Sequence, residues 1–282
     1  QRVDYSIAQP GDEVGDVGYA LNTMIDNVET ALQARAESEQ RLRQFVADAS
    51  HELRTPLASI QGYTQLLQKG SADEELALAR IASESARMSG LVEDLLLLAR
   101  LDAGRELASD PVDLIPLAID AVSDAHAAGP DHEWVLDLPQ FDDEDEDCVS
   151  CTVAGDESAL RQVFANLVNN ARIHTPAGTR VKVGVQVIGG GASAPGFVRM
   201  SVADDGPGIP PELRATVFDR FVRGDTSRSR QGKGSSGLGL SIVSSIAEAL
   251  GGRVDVDTVC EGEAKPGEHG TTFSVILPAM EL

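Results

Sequence analysis

From Val17 to about Gly104 apolar residues recur at alternating steps of three and four, a period that only long helices with one apolar seam can satisfy. One series runs Val17, Leu21, Met24, Val28, Ala31, with polar Arg35 and Ser38 keeping the frame to Leu42. A second runs Leu42, Val46, Ala49, Leu53, Pro56, Ile60, Tyr63, Leu67, and a third Leu78, Ile81, Ser85, Met88, Val92, Leu95, Ala99. Between the last two, Lys69-Gly70-Ser71-Ala72-Asp73 supplies a glycine to end one helix and Ser or Asp to cap the next. The pattern predicts an antiparallel helical hairpin over residues 37–103. Two helices cannot bury two such seams, so pairing with a second copy into a four-helix bundle is expected. The first two series meet at Leu42 with two consecutive steps of four, a stutter that changes coiled-coil winding just before His51.

After Gly104 the texture becomes mixed. Strand-like runs are Trp134–Leu138, Cys151–Ala154, Val181–Ile188, Val198–Ala203, Val254–Val259 and Thr272–Leu277, and helical runs cover about 113–127, 156–174 and 238–250. This order predicts an α/β sandwich with helices over one sheet face. Aromatic residues make up only 4% of the chain, so Leu, Ile, Val and Ala must fill the cores. Asp142 to Asp147 reads as a solvated acidic loop, and Gly189 to Gly196 as a flexible connector.

The net charge of −22 argues against a nucleic-acid binder, which gains affinity by neutralising phosphates, and disfavours an anionic membrane. Nucleotide phosphates would need local donors and a divalent cation. Cys148, Cys151 and Cys260 form no disulfide framework, and the C-x-x-C pair lacks the second pair that zinc requires, so structural free thiols are expected. No run of ~18 apolar residues occurs, so no membrane-spanning helix is expected. The chain starts at Gln1 inside a motif-like stretch, as a piece of a longer parent would.

With Val46 and Leu53 at heptad position a and Leu42 and Ala49 at d, His51 falls at f, furthest from the seam. Its neighbour Glu52 can accept the proton of one ring nitrogen, leaving the other lone pair free for attack, or act as general base. Pro56, one turn on, removes a helix hydrogen bond. On chemistry alone an exposed helical histidine is usually inert. The unbroken string Ser50-His51-Glu52-Leu53-Arg54-Thr55-Pro56-Leu57 resembles the H-box of sensor histidine kinases. That resemblance implies that His51 is the phosphoacceptor, that Glu52 assists proton transfer, and that Thr55 orients water for the reverse, phosphatase reaction.

Further on, Asn166 and Asn170 share a helix face, where amide oxygens suit Mg²⁺, although asparagines also simply solvate helices. Asp204-Asp205-Gly206-Pro207-Gly208-Ile209 follows a strand, where a carboxylate can accept an adenine amino group, although such a string alone is often a turn. Gly232 to Leu240, with Gly237, Leu238, Gly239 and Leu240 at its end, opens a helix, whose backbone N–H groups form an anion site. Between them Phe218-Asp219-Arg220-Phe221 and the polar run after it read as a lid, with Arg220, Arg223 and Lys233 as phosphate contacts. Together these resemble the N, first glycine, F and second glycine boxes of the GHKL (Bergerat-fold) ATPases. The resemblance implies that Asp204 reads adenine, Asn170 with Asn166 holds Mg²⁺, and Gly237 and Gly239 meet the phosphates of ATP. Two positions depart from the pattern: Ser235 where a glycine is frequent, and Ile173 where a basic residue is frequent, with Arg172 as its expected substitute.

Asp12-Glu13-Val14-Gly15 resembles the start of the second helix of a HAMP relay. The expected organisation is therefore a relay and signalling helix over 1–36, a dimerisation and phosphotransfer hairpin over 37–107, and an ATP-binding domain over 108–282. A cytoplasmic kinase portion is implied, joined to a membrane only through a missing N-terminal part, working as a homodimer and passing phosphate to a response regulator receiver domain. The rivals are a GHKL-type ATPase and a nucleotide-binding scaffold. Against the first, Asn166 stands where those ATPases carry the glutamate that activates water.

Overall fold

The computed structural model describes residues 13–70, 73–105, 107–139, 151–191, 194–222, 236–261 and 269–280. Two compact units divide between Ile81 and Ala82. In the first, helix α1 (Glu13–Gln68) runs through Pro56 without a break. It stops where Gly70 takes φ 66, a left-handed conformation that glycine adopts without penalty. Helix α2 (Glu74–Asp102) then starts on Asp73, whose Oδ1 accepts the Leu76 N–H at 3.1 Å. Both punctuation marks fall where the sequence put them. Val17, Met24, Leu42 and Val46 of the predicted seam are all exposed, so the chain by itself leaves a long apolar stripe uncovered.

The second unit holds the rest of α2 and an α/β domain. Its elements are β1 (Asp110–Asp113), α3 (Leu114–Ala128), β2 (Glu133–Asp137), β3 (Thr152–Gly155), α4 (Glu157–His174), β4 (Arg180–Gly191), β5 (Ala194–Asp204), α5 (Pro211–Arg214), α6 (Gly239–Ala249), β6 (Arg253–Val259) and β7 (Gly270–Pro278). Five strands form one sheet in the order β2-β4-β5-β7-β6, and β1 and β3 form a separate two-stranded ladder. Register places Val183, Val202 and Phe273 in one row and Val185, Met200 and Val275 in the next. All six are buried, as are Leu160, Val163, Phe164 and Leu167 of α4 and Ile242, Val243 and Ile246 of α6. Alternate strand residues and one stripe of each helix thus make a single core on one side of the sheet. Helices α3 and α4 start on Asp113 and Asp156, whose side chains accept from Ile115 N and Ala159 N.

The expected strands and helices all appear, with ends shifted by a few residues. The glycine-rich connector does not. Gly189 to Gly191 belong to β4 and Ala194 to Gly196 to β5, paired as Gly189↔Gly196 and Gly191↔Ala194. Glycine is a poor strand former by propensity, but the flanking valine ladder extends the hairpin over it in unbroken register, with Gly189 at φ 67. Strand β1 and the one-turn α5 were not legible, since Asp110-Pro111-Val112-Asp113 has one aliphatic residue and a proline, an edge composition. The acidic loop 142–147 and Cys148 lie outside the described residues, while Cys151 is a buried free thiol and Cys260 a half-buried one.

Phe164 is 1% exposed at the centre of this core. Phe164→Ala should lower unfolding stability by about 3–5 kcal/mol, read as an earlier denaturant midpoint. An unmoved midpoint would mean the core is not organised around α4.

Candidate active site

His51 lies on an exposed face of α1, while Glu52 and Leu53 are half-buried and Pro56 is buried. Ser50 Oγ donates to the Val46 carbonyl at 2.7 Å, and Thr55 Oγ1 makes a long 3.4 Å bond to the carbonyl of His51. Both hydroxyls are turned back along the helix. Pro56 has no N–H for the carbonyl four residues earlier, that of Glu52, so the helix ladder is thinned beside the imidazole.

In the second unit, the end of β5 presents two consecutive carboxylates that face different ways. Asp205 Oδ1 accepts the backbone N–H of Arg180 at 2.8 Å on the exposed side. Asp204 turns inward, and the backbone N–H groups of Gly206 and Thr271 donate to it. Burial pushes its carboxyl up to about 6, opposed by those two hydrogen bonds and reinforced by the charge of Asp205. Only Asp204 is therefore placed to meet a ligand inside the domain.

The loop after it is pinned from several sides. Ile209 N donates to Thr258 Oγ1 at 2.8 Å, Glu261 N to the Pro207 carbonyl at 3.2 Å, and His269 Nδ1 lies 2.7 Å from the Gly206 carbonyl, to which it donates. Gly208 takes φ 78, and a Cβ there would run into the Val259 carbonyl. A Cβ on Gly206 would stand 2.7 Å from Asp204 Oδ1 and 2.6 Å from Thr175 Cγ2. The glycines keep this cradle open and let its wall lie close to β6.

The other end is built from α4, the Phe218–Phe221 segment and the start of α6. Phe218 packs edge-on against Phe273 of the core, with ring centroids 6.1 Å apart. Phe221 adopts φ 62, costly for a residue with a Cβ, and its N–H donates to the Gly237 carbonyl at 2.8 Å. Gly237, at φ 71, passes so close that a Cβ would stand 2.9 Å from Phe221 Cα. Leu238 is fully buried and Leu240 half-buried, and α6 opens at Gly239 with no side chain among the described residues capping its first turn. Its first N–H groups are left for an anion.

Asn166 faces this helix start. A Cβ on Gly239 would lie 3.3 Å from Asn166 Oδ1, and Asn166 Nδ2 is a buried donor with no partner among the described residues. Asn170, one turn on and half-buried, shares the face. An uncapped helix start, an orphaned amide and a glycine where a side chain would intrude fit a polyphosphate with its cation. His/Cys/Asp/Glu clusters able to hold a metal by themselves are absent among the described residues.

Two of the expected basic residues have other partners in this structure. Arg172 donates to Asn169 Oδ1 at 2.7 Å and lays its stem against Gly129, so it faces α3 and does not stand in for the basic residue missing at Ile173. Arg220 forms an ion pair with Asp102 at 2.6 Å. Arg223, Lys233 and Ser235 lie outside the described residues. His269, Thr258, Thr271 and Thr175 were missed. They act by bracing the loop from distant segments, and nothing in their local sequence signals that.

Residues 155–281 match the family described as histidine kinase-, DNA gyrase B- and HSP90-like ATPase, and residues 41–104 match the His Kinase A (phospho-acceptor) domain. The probable sensor histidine kinase TcrY of Mycobacterium tuberculosis is 52% identical over 280 residues, covering 98% of this chain and 54% of that protein. The sensor histidine kinase TrcS of the same organism is 47% identical over 284 residues, covering 99% of this chain and 52% of that protein. The crystal structure of full-length ShkA in complex with AMPPNP is 30% identical, with a TM-score of 0.57, covering 85% of this chain and 46% of that one. The chain thus spans about half the length of the curated relatives it matches. No helix among its described residues is long and apolar enough to cross a membrane.

Proposed function

Because this chain belongs to the sensor histidine kinases of two-component systems, we propose that it transfers the γ-phosphoryl group of ATP to its own His51 and then to an aspartate of a response regulator. The observation that carries this reading is a solvent-facing imidazole within Ser50–Leu57, in the same chain as a glycine-braced cradle around an inward carboxylate. In the first step a ring nitrogen of His51 attacks the γ-phosphorus, the bond to the bridging oxygen breaks and ADP departs. Glu52 takes or holds the proton on the other ring nitrogen.

Asp204 accepts the adenine amino group, and Gly206, Gly208 and Ile209 shape the wall beside the base. Phe218 and Phe221 anchor the segment between the two glycine loops, and the turn from Gly237 through Leu238 and Gly239 to Leu240 offers N–H groups to the phosphates. Asn170 with Asn166 would hold Mg²⁺, which supplies neutralisation of the phosphate charge. Asn166 also has no carboxylate with which to activate water, so transfer to a positioned imidazole is favoured over hydrolysis. The exposed seam of α1 is covered in a homodimer, and input enters along α1, whose first turn carries the HAMP-like string.

Incubation of the chain with γ-labelled ATP and Mg²⁺ tests this. The label should stay on the protein, stable in alkali and lost in acid, and should move to a receiver domain. Release of free phosphate with no protein-bound label would point to an ATPase instead.

Thr55 has a separate assignment, orientation of the water that removes phosphate from the regulator. Thr55→Ala should keep autophosphorylation within about twofold yet slow regulator dephosphorylation about tenfold or more, in the range for loss of a positioning or general-base contact. Equal dephosphorylation rates would remove Thr55 from this role.

A further inference from the structure

Arg220 occupies an unusual position for a residue half-committed elsewhere. Its backbone is held at the phosphate end of the cradle, because Phe218 is anchored on Phe273 and Phe221 is hydrogen-bonded to Gly237, two residues before α6 begins. Its guanidinium reaches out of the cradle to Asp102, the last residue of α2, at 2.6 Å. A second contact joins the same helix to the domain two turns earlier, where Gln162 of α4 donates to Asp94 Oδ1 at 3.0 Å. Asp94 and Asp102 lie eight residues apart, on one face of α2.

A guanidinium binds carboxylates and phosphates by the same fork of donors. Asp102 draws a terminal nitrogen of Arg220 outward at 2.6 Å, whereas a polyphosphate at the start of α6 would draw the same fork back into the cradle. Asp102 is half exposed, so its hold on Arg220 is weakened by solvent, and a multiply charged phosphate chain is the stronger rival.

We propose that Asp102 and the terminal phosphates of the bound nucleotide compete for Arg220, so that ATP binding and the hold of α2 on the ATP-binding domain oppose one another. The proposal rests on the nucleotide reading above and adds a regulatory link to it. By linkage, whatever holds Asp102 against Arg220 weakens ATP binding by the same factor by which ATP weakens that contact. A movement of α2 that withdrew Asp102 would then raise ATP affinity without touching the pocket.

Calorimetric titrations of the full chain and its variants with ATP and with adenosine, both in Mg²⁺, test this. Asp102→Asn should bind ATP about threefold to fivefold more tightly than the parent, the size expected when a half-exposed ion pair no longer competes. Adenosine, which has no phosphates, should bind both proteins equally. Arg220→Gln should bind ATP more weakly, and adding Asp102→Asn to it should bring no gain. Unchanged ATP affinity in Asp102→Asn, an equal gain for adenosine, or a gain that persists with Arg220→Gln would overturn the competition. A parent chain that binds neither ligand would instead overturn the nucleotide reading itself.

Discussion

His51→Gln should take up no alkali-stable label from γ-labelled ATP, a loss of at least about a thousandfold, while still binding ATP as the parent does. The size follows from the chemistry: glutamine matches the polarity of histidine but its amide nitrogen has no lone pair to offer phosphorus. The cost to folding should be slight, because the side chain is exposed on the helix and surface changes of this kind stay within about ±0.5 kcal/mol. Unchanged melting and unchanged ATP affinity would therefore assign the loss to the missing nucleophile. Glu52→Gln should fall between, with labelling slowed about a hundredfold or more, as loss of a general base does. If His51→Gln still carried acid-labile label, the phosphoacceptor would be another residue, and the H-box assignment would fail with it.

What could be read in advance followed from local rules. Heptad steps, Gly70 and Asp73 located both long helices, because period and punctuation are written in neighbouring residues. Runs of strand-forming residues at Val181–Ile188, Val198–Ala203 and Thr272–Leu277 located β4, β5 and β7. Among the candidate site residues, Asp204, Gly206, Gly208, Gly237 and Asn166 all stand in cradle-like surroundings, since glycines with positive φ or crowded walls leave a mark in the sequence. What stayed illegible depends on long-range contact. His269 supports Gly206 from 63 residues away, and Arg220 meets Asp102 across 118 residues. The glycine run 189–191 misled for the opposite reason, because propensity spoke for a loop while a ladder begun at Val181 carried through it.

Asp204→Asn should weaken ATP binding about a hundredfold while making the domain more stable at neutral pH. The amide would keep the Gly206 N–H bond, but it turns a donor toward an adenine amino group that is itself a donor, leaving both unsatisfied in a confined site. For stability the sign runs the other way. Burial raises the Asp204 carboxyl from 3.8 to about 6 in the folded chain, so the folded state binds the proton more tightly than the unfolded one. That contribution is complete below about pH 4 and is lost as pH rises through about 6, so at pH 7 the ionised carboxylate is a burden on the fold. Removing the charge should return on the order of 1–2 kcal/mol after allowance for solvent screening. Scanning calorimetry at pH 5 and pH 8 should show a higher melting temperature for the variant mainly at pH 8. In the parent, ATP affinity should fall as pH drops below about 6, where the carboxylate takes up its proton and stops accepting, and the variant should lack that fall. A parent whose ATP affinity is flat from pH 5 to pH 8 would show that Asp204 does not read the base. The carboxylate is held in an environment that resists its charge, and recognition of the adenine amino group is what its ionised form provides in return.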